Sequence, residues 1–145
     1  MEPGPSTEPL DVCLLVARAE AALRRRFDRP LSGGHGLSLN DFILLDHLDR
    51  APDHQLRRVD LADRVGLSPS GVTRLLAPLE RIGLVERRSD PADARVSLAA
   101  LTPTGERHVA DARRTAAGVA TDVVRERFGP DEVATLAALL ARLAG

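Results

Sequence analysis

The chain has 145 residues, 43% of them hydrophobic, and a formal net charge of −1; that is apolar material for one well-buried domain, or one small domain with helical extensions, and it excludes two large independent domains. A single cysteine, Cys13, excludes an internal disulfide, and no apolar stretch is long enough to cross a bilayer, so the expected setting is cytoplasmic with no membrane partner. The total charge lends nothing to nucleic-acid binding, but its distribution does: residues 1–54 carry 6 Arg against 9 acids, residues 55–95 carry 8 against 6, and residues 96–145 carry 6 against 6, which leaves only the middle basic.

Residues 1–9, Met1 to Pro9, are acidic and proline-rich, without the basic start and apolar run of a signal peptide, and read as a disordered leader. From Leu10 to Phe27 apolar residues recur at Val12, Val16, Ala19, Leu23 and Phe27, with a second row at Leu10, Leu14, Ala17 and Ala21, the pattern of a helix with a wide apolar face. Arg24, Arg25 and Arg26 suit its C-terminal end, and Pro30 with the Ser32-Gly33-Gly34-His35-Gly36 loop is expected to stop it. Ser38 then caps a shorter helix to about Arg50 that buries Phe42, Leu45 and Leu48, and Ala51-Pro52-Asp53 ends it.

A short helical pattern from Val59 to Val65 closes at Gly66, the residue best able to take the left-handed C-cap conformation. Ser68 and Pro69 restart a helix at once as N-cap and first helical residue, with Val72, Leu75, Leu76, Leu79 and Ile82 on one face. Two helices joined by about three residues form a helix-turn-helix, whose second helix enters a DNA groove. After Gly83 the period changes, and Leu84–Arg88 and Val96–Leu98 alternate as two strands around the polar loop Ser89–Ala94, a hairpin or wing. Thr102-Pro103 repeats the cap and proline start of a helix that could run about 25 residues, roughly 38 Å, with Val109, Ala112, Ala116, Val119 and Val123 on one side. A last helix from Gly129-Pro130-Asp131-Glu132 is expected to bury Val133, Leu136, Leu140 and Leu143. The long apolar stripe exceeds what so small a domain covers, so a homodimer is expected.

The fold class expected is therefore mainly α with a small β-hairpin: a winged helix-turn-helix at residues 37–101, flanked by a helical dimerisation region at 10–36 and 102–145. With the apolar face of the reading helix inward, Ser70, Thr73, Arg74, Ala77 and Arg81 lie outward. Ser70 and Gly71, beside the capping Ser68, allow close approach to the duplex, and Thr73 and Arg74 reach phosphates or base edges. In the wing, Asp93 lies two residues from Arg95 and would hold its guanidinium extended toward a minor groove, with Arg87 and Arg88 flanking. Arg57 and Arg58 are candidates for phosphate contacts that set register.

The runs Leu37-Ser38-Leu39-Asn40-Asp41-Phe42-Ile43-Leu44-Leu45, Asp60–Arg74, Asp90-Pro91-Ala92-Asp93-Ala94-Arg95 and Leu101-Thr102-Pro103-Thr104-Gly105, in that order and spacing, resemble the landmarks of the MarR family over nearly the whole chain. The resemblance implies a dimeric winged-helix regulator of transcription, usually a repressor, that binds a pseudo-palindromic operator in double-stranded DNA and is released by a small aromatic or lipophilic effector or an oxidant. Carried over by position, Ser70, Thr73 and Arg74 would face the major groove and Arg95 the minor groove. Phe27, Phe42 and His47 are candidate walls of the effector pocket. Ala94 departs from the pattern by lacking a second wing charge. Pro78 departs from it inside the reading helix, where it removes one hydrogen bond and should bend the helix or leave the Arg74 carbonyl to water. Cys13 resembles in position the sensing cysteine of one branch, which makes a redox-sensing regulator the alternative reading, although a cysteine on an apolar helix is more often a small core residue. A winged-helix protein-interaction module that does not bind DNA is a second alternative. No nucleophile, metal or phosphate constellation appears, so neither an enzyme, a metal site nor a cofactor is expected.

Overall fold

The computed structural model describes residues 4–145, and that part of the leader expectation which falls on Met1–Pro3 lies outside the described residues. In chain order the elements are α1 (Pro9–His35), α2 (Leu39–Arg50), a single 3-10 turn (Pro52–His54), β1 (Gln55–Arg57), α3 (Arg58–Val65), α4 (Pro69–Arg81), β2 (Val85–Ser89), β3 (Ser97–Leu101), α5 (Pro103–Arg125) and α6 (Pro130–Ala144). Helices are started by the caps legible in the chain. Ser38 Oγ accepts from the Asp41 amide at 3.0 Å while the Asp41 carboxylate accepts from the Ser38 amide at 2.9 Å. Ser68 Oγ accepts from the Gly71 amide at 3.1 Å, and Thr102 Oγ1 from the Gly105 amide at 3.0 Å.

Two expectations about helix boundaries are corrected. Pro30 and the glycine run do not stop the first helix, which continues through them for 27 residues to His35. Pro30 costs one hydrogen bond, but Leu31 beyond it is fully buried, and that packing holds the extra turn until Gly36, at φ 67°, closes it. The Arg24–Arg26 triplet is consequently in mid-helix. Arg24 pairs with Glu20 and donates to Asn40 Oδ1 at 2.6 Å, fastening α1 to the start of α2. The reading helix ends one residue early. Ile82, expected in its core face, has left helical geometry and is 60% exposed.

The wing is broader than the hairpin expected. β3 is central in a three-stranded antiparallel sheet of order β1-β3-β2. On one side Gln55 faces Ala100 and Arg57 faces Leu98, and on the other Val85 faces Leu101 and Ser89 faces Ser97. β1 is only three residues long, too short to carry a period.

The core forms where α2, α3, α4, the sheet and the front of α5 meet. Leu44, Leu45, Leu48, Leu61, Leu76 and Val109 are fully closed from solvent. Phe42, expected to be buried, is only half-buried against this cluster, and Leu44 takes the central place instead. Gly105 lets α5 press onto the sheet: a Cβ there would stand 2.1 Å from the Leu84 carbonyl oxygen. Thr102 reinforces the same junction, its hydroxyl donating to the Gly83 carbonyl at 2.6 Å.

The terminal helices are different. α1 packs on α5, where His35 Nε2 lies 2.7 Å from Thr115 Oγ1 and His108 Nε2 lies 2.8 Å from the His35 carbonyl. Arg113 on α5 grips Asp46 and Asp49 of α2, and those carboxylates raise its pKa above the ordinary guanidinium value. The expectation that Val133, Leu136, Leu140 and Leu143 are buried is corrected, because α6 buries no residue within the single chain. Its apolar face and that of the first half of α1 stay open, including Leu10, Leu14, Leu139 and Leu143. Among the described residues no helix is long and apolar enough to cross a membrane.

Candidate nucleic-acid interface

The site begins with the turn between α3 and α4. α3 is short, and Gly66 at φ 69° ends it, with the Leu67 amide returning to the Ala62 carbonyl at 3.0 Å. Two residues later Ser68 caps α4. This aims the first turn of α4 outward, where Ser68, Pro69, Ser70, Thr73 and Arg74 are exposed, while Val72, Leu76 and Leu79 anchor the opposite face. The Gly71 position is tight: a Cβ would lie 3.3 Å from Ser68 Oγ. Arg74 and Arg81 stand exposed without an ion pair among the described residues, so both are available to an anionic partner. Pro78 is exposed, α4 runs through it to Arg81, and it offers no amide to the Arg74 carbonyl.

Thr73 and Arg58 are more constrained than an outward face suggests. The Thr73 hydroxyl donates to the Pro69 carbonyl at 3.1 Å. Arg58, at the start of α3, has a side chain only 17% exposed; its Nη1 donates to Glu80 Oε1 and its Nη2 to Thr73 Oγ1, each at 3.3 Å. The guanidinium expected to be free for a phosphate is thus turned onto α4. Arg57, one residue earlier on β1, is half exposed and 3.8 Å from Asp90 at the root of the wing.

The tip of the wing is built from its own side chains. Asp90 accepts from the Ala92 amide at 2.9 Å, the Asp93 amide returns to the Asp90 carbonyl at 3.2 Å, and the Val96 amide to the Asp93 carbonyl at 3.0 Å. Asp93 then grips Arg95 with both oxygens, Nε to Oδ1 at 3.0 Å and Nη2 to Oδ2 at 3.1 Å, while the Arg95 amide donates to Oδ1 at 3.0 Å. These donors from Arg95, side chain first and backbone second, hold the Asp93 carboxyl below its ordinary pKa, and the carboxylate raises that of Arg95. Arg95 itself is 91% exposed, so the Asp93 clamp orients it in solvent rather than hiding it. On β2, Arg87 donates to Ser97 Oγ at 2.8 Å and Arg88 pairs with Glu86 and reaches Gln55.

The reading turn and the wing tip thus each carry exposed arginines, and α4 packs against β2 at the base of the wing. The other candidates lie elsewhere. Phe27 and Phe42 are half-buried against the core, and His47 is half-buried on α2. A shallow apolar groove lies between the end of α5 and α6, lined by Ala120, Val124, Phe128 and Val133 and by none of those three residues. Cys13 is exposed on α1 beside Val12 and Leu14, not in the core as the usual habit of such a cysteine suggested. Among the described residues no three His, Cys, Asp or Glu side chains gather to hold a metal ion. The features that sequence reasoning missed are the Arg58 bracket and the Arg57–Asp90 tie. Both link residues 15 or more positions apart and leave no local signal.

Residues 35–96 match the model of the MarR family. The chain is 31% identical over 100 residues to YdgJ of Bacillus subtilis (strain 168), an HTH-type transcriptional regulator; the match takes in 69% of this chain and 52% of YdgJ, so the chain spans about half the length of that relative. Among solved structures it is similar to Sco3205 of Streptomyces coelicolor, a MarR family transcriptional regulator in complex with DNA, at 25% identity and a TM-score of 0.82, covering 96% of this chain and 92% of that one. It is similar also to CouR of Rhodococcus jostii RHA1 bound to p-coumaroyl-CoA, at 26% identity and a TM-score of 0.79, covering 92% of each chain.

Proposed function

Because the chain belongs to the MarR family, we propose that it is a transcriptional regulator, not an enzyme, that binds double-stranded DNA as a homodimer and represses from a pseudo-palindromic site. The observation that carries this reading is the pair of exposed elements, a capped helix start that presents Ser70 and Arg74 and a clamped wing tip that presents Arg95. A helix start with small side chains suits the major groove, and an extended guanidinium suits the narrower minor groove. Ser68, Gly71 and Thr73 shape the approach, and Arg57 and Arg87 border it where phosphates would lie. The complex of Sco3205 with DNA supports the docking.

Dimerisation is supported by the open apolar faces of α1 and α6, which a second copy would cover. Release by a small aromatic or lipophilic effector is supported by the p-coumaroyl-CoA bound to CouR. Such a molecule would sit between the dimerisation helices and the winged region, where Phe27, Phe42 and His47 are the nearest candidates for its walls. With three Phe and no Trp or Tyr in the chain, stacking on a flat molecule would be limited, and shape and apolar contact would do most of the holding. A cytoplasmic setting goes with this role.

The test is a mobility-shift titration on the duplex upstream of its own gene. Arg74→Ala and Arg95→Ala should each cost about 1–3 kcal/mol of binding. Undiminished binding by both variants would remove the proposed docking.

A further inference from the structure

Arg58 and Thr73 stand 15 residues apart in sequence and meet across the helix-turn-helix. Thr73 and Glu80 are seven residues apart on α4, two turns of one helix flank, and the planar fork of Arg58 spans both. A threonine hydroxyl has one proton and two lone pairs. Here the proton is committed to the Pro69 carbonyl at 3.1 Å and one lone pair to Arg58 at 3.3 Å, leaving a single lone pair on this exposed side chain. Without Arg58 the hydroxyl could rotate and offer its proton instead. Glu80 keeps the fork in place, because it neutralises a guanidinium that is mostly covered.

Resting on the DNA-binding reading above, we propose that Arg58 is a positioning residue that makes Thr73 an acceptor-only reader, selecting a base with an exposed amino donor. Adenine offers N6 and cytosine N4 in the major groove, whereas guanine offers only acceptors there and is refused. In this arrangement Arg58 acts through Thr73 and adds no phosphate contact, although it lies in the most basic part of the chain.

The experiment uses the full chain and a duplex selected by the wild type from a randomised pool. Thr73→Val, which keeps the shape and removes the hydroxyl, identifies the base pair that Thr73 faces as the position where preference is lost. Equilibrium binding is then measured with all four bases at that position over a series of salt concentrations. The wild type is expected to prefer adenine or cytosine. Arg58→Met should lose about tenfold of that preference, the order of one good base contact, with an unchanged salt slope. It should add nothing further in the Thr73→Val background. Arg58→Lys keeps the charge and lacks the fork; it should lose the preference as Arg58→Met does while melting like the wild type, which separates positioning from a folding defect. A fall in salt slope of about 0.9 in Arg58→Met with the preference intact would make Arg58 a phosphate contact and overturn the proposal. Retention of preference by Arg58→Lys would overturn it equally. A wild type that selects no sequence at all would remove the DNA-binding reading, and this inference with it.

Discussion

The winged region and the terminal helices use similar apolar side chains to opposite ends. Between α2 and the front of α5, Leu44, Leu45, Leu61 and Leu76 close on one another to 0% exposure, whereas on α1 and α6 Leu10, Leu14, Leu139 and Leu143 remain between 52% and 70% exposed. The first region has a complete core within one chain. The second has half of one, and exposed apolar surface is favourably removed from water at about 25 cal/mol per Å2. The winged region thus rests on a core that one chain completes, while the terminal helices keep apolar faces that this chain alone does not cover.

Substitutions that strike the closed core should have the largest effect. Leu76→Ala removes a fully buried side chain under the reading helix and is expected to cost about 2–5 kcal/mol in urea unfolding. Gly105→Ala forces a methyl group against the Leu84 carbonyl and Leu101, and should cost about 1–3 kcal/mol by the same measurement. An unmoved midpoint in Leu76→Ala would contradict the closed core, and one in Gly105→Ala would contradict the tight seam of α5 with the sheet.

On the open side the prediction reverses. Leu140→Glu should change the stability of the isolated chain by no more than about 0.5 kcal/mol, yet shift sedimentation from dimer to monomer. A variant that unfolds would show α6 to be part of the chain's own core, and one that stays dimeric would move the interface elsewhere.

The smallest effect is expected in the wing. Asp93 has a lowered pKa because Arg95 donates to its carboxylate, so the contribution of the clamp is present above the ordinary aspartate value of about 3.9 and is lost only as pH falls through the lower folded value. Binding to the selected duplex should therefore show no wing-dependent change between about pH 5 and 8, and Asp93→Asn should weaken it less than Arg95→Ala does. A loss in that window that disappears in Asp93→Asn would contradict the clamp.

What could be read from the chain beforehand follows from range. The helix-turn-helix and the start of α5 were legible because Gly66, Ser68-Pro69 and Thr102-Pro103 act on their own neighbours through caps and fixed dihedrals. Strand β1 was not, since three residues carry no period and only pairing with β3 makes them a strand. Pro30 and the glycines after it spelled a stop in local terms, and the burial of Leu31 overrode them. Ser70, Arg74 and Arg95 could be placed on the surface from spacing alone, whereas the capture of Arg58 by Glu80, 22 residues away, exists only once α3 lies against α4.

DNA recognition here turns on whether α4 and the wing read sequence. Fluorescence anisotropy with the selected duplex and a scrambled one of equal length, over a salt series, measures this. Tighter binding to the selected duplex by at least about 10³-fold, reduced by Arg74→Ala, is the result expected. Equal binding to both duplexes, lost in parallel as salt rises, would reduce the surface to a basic patch without a code and contradict the central claim.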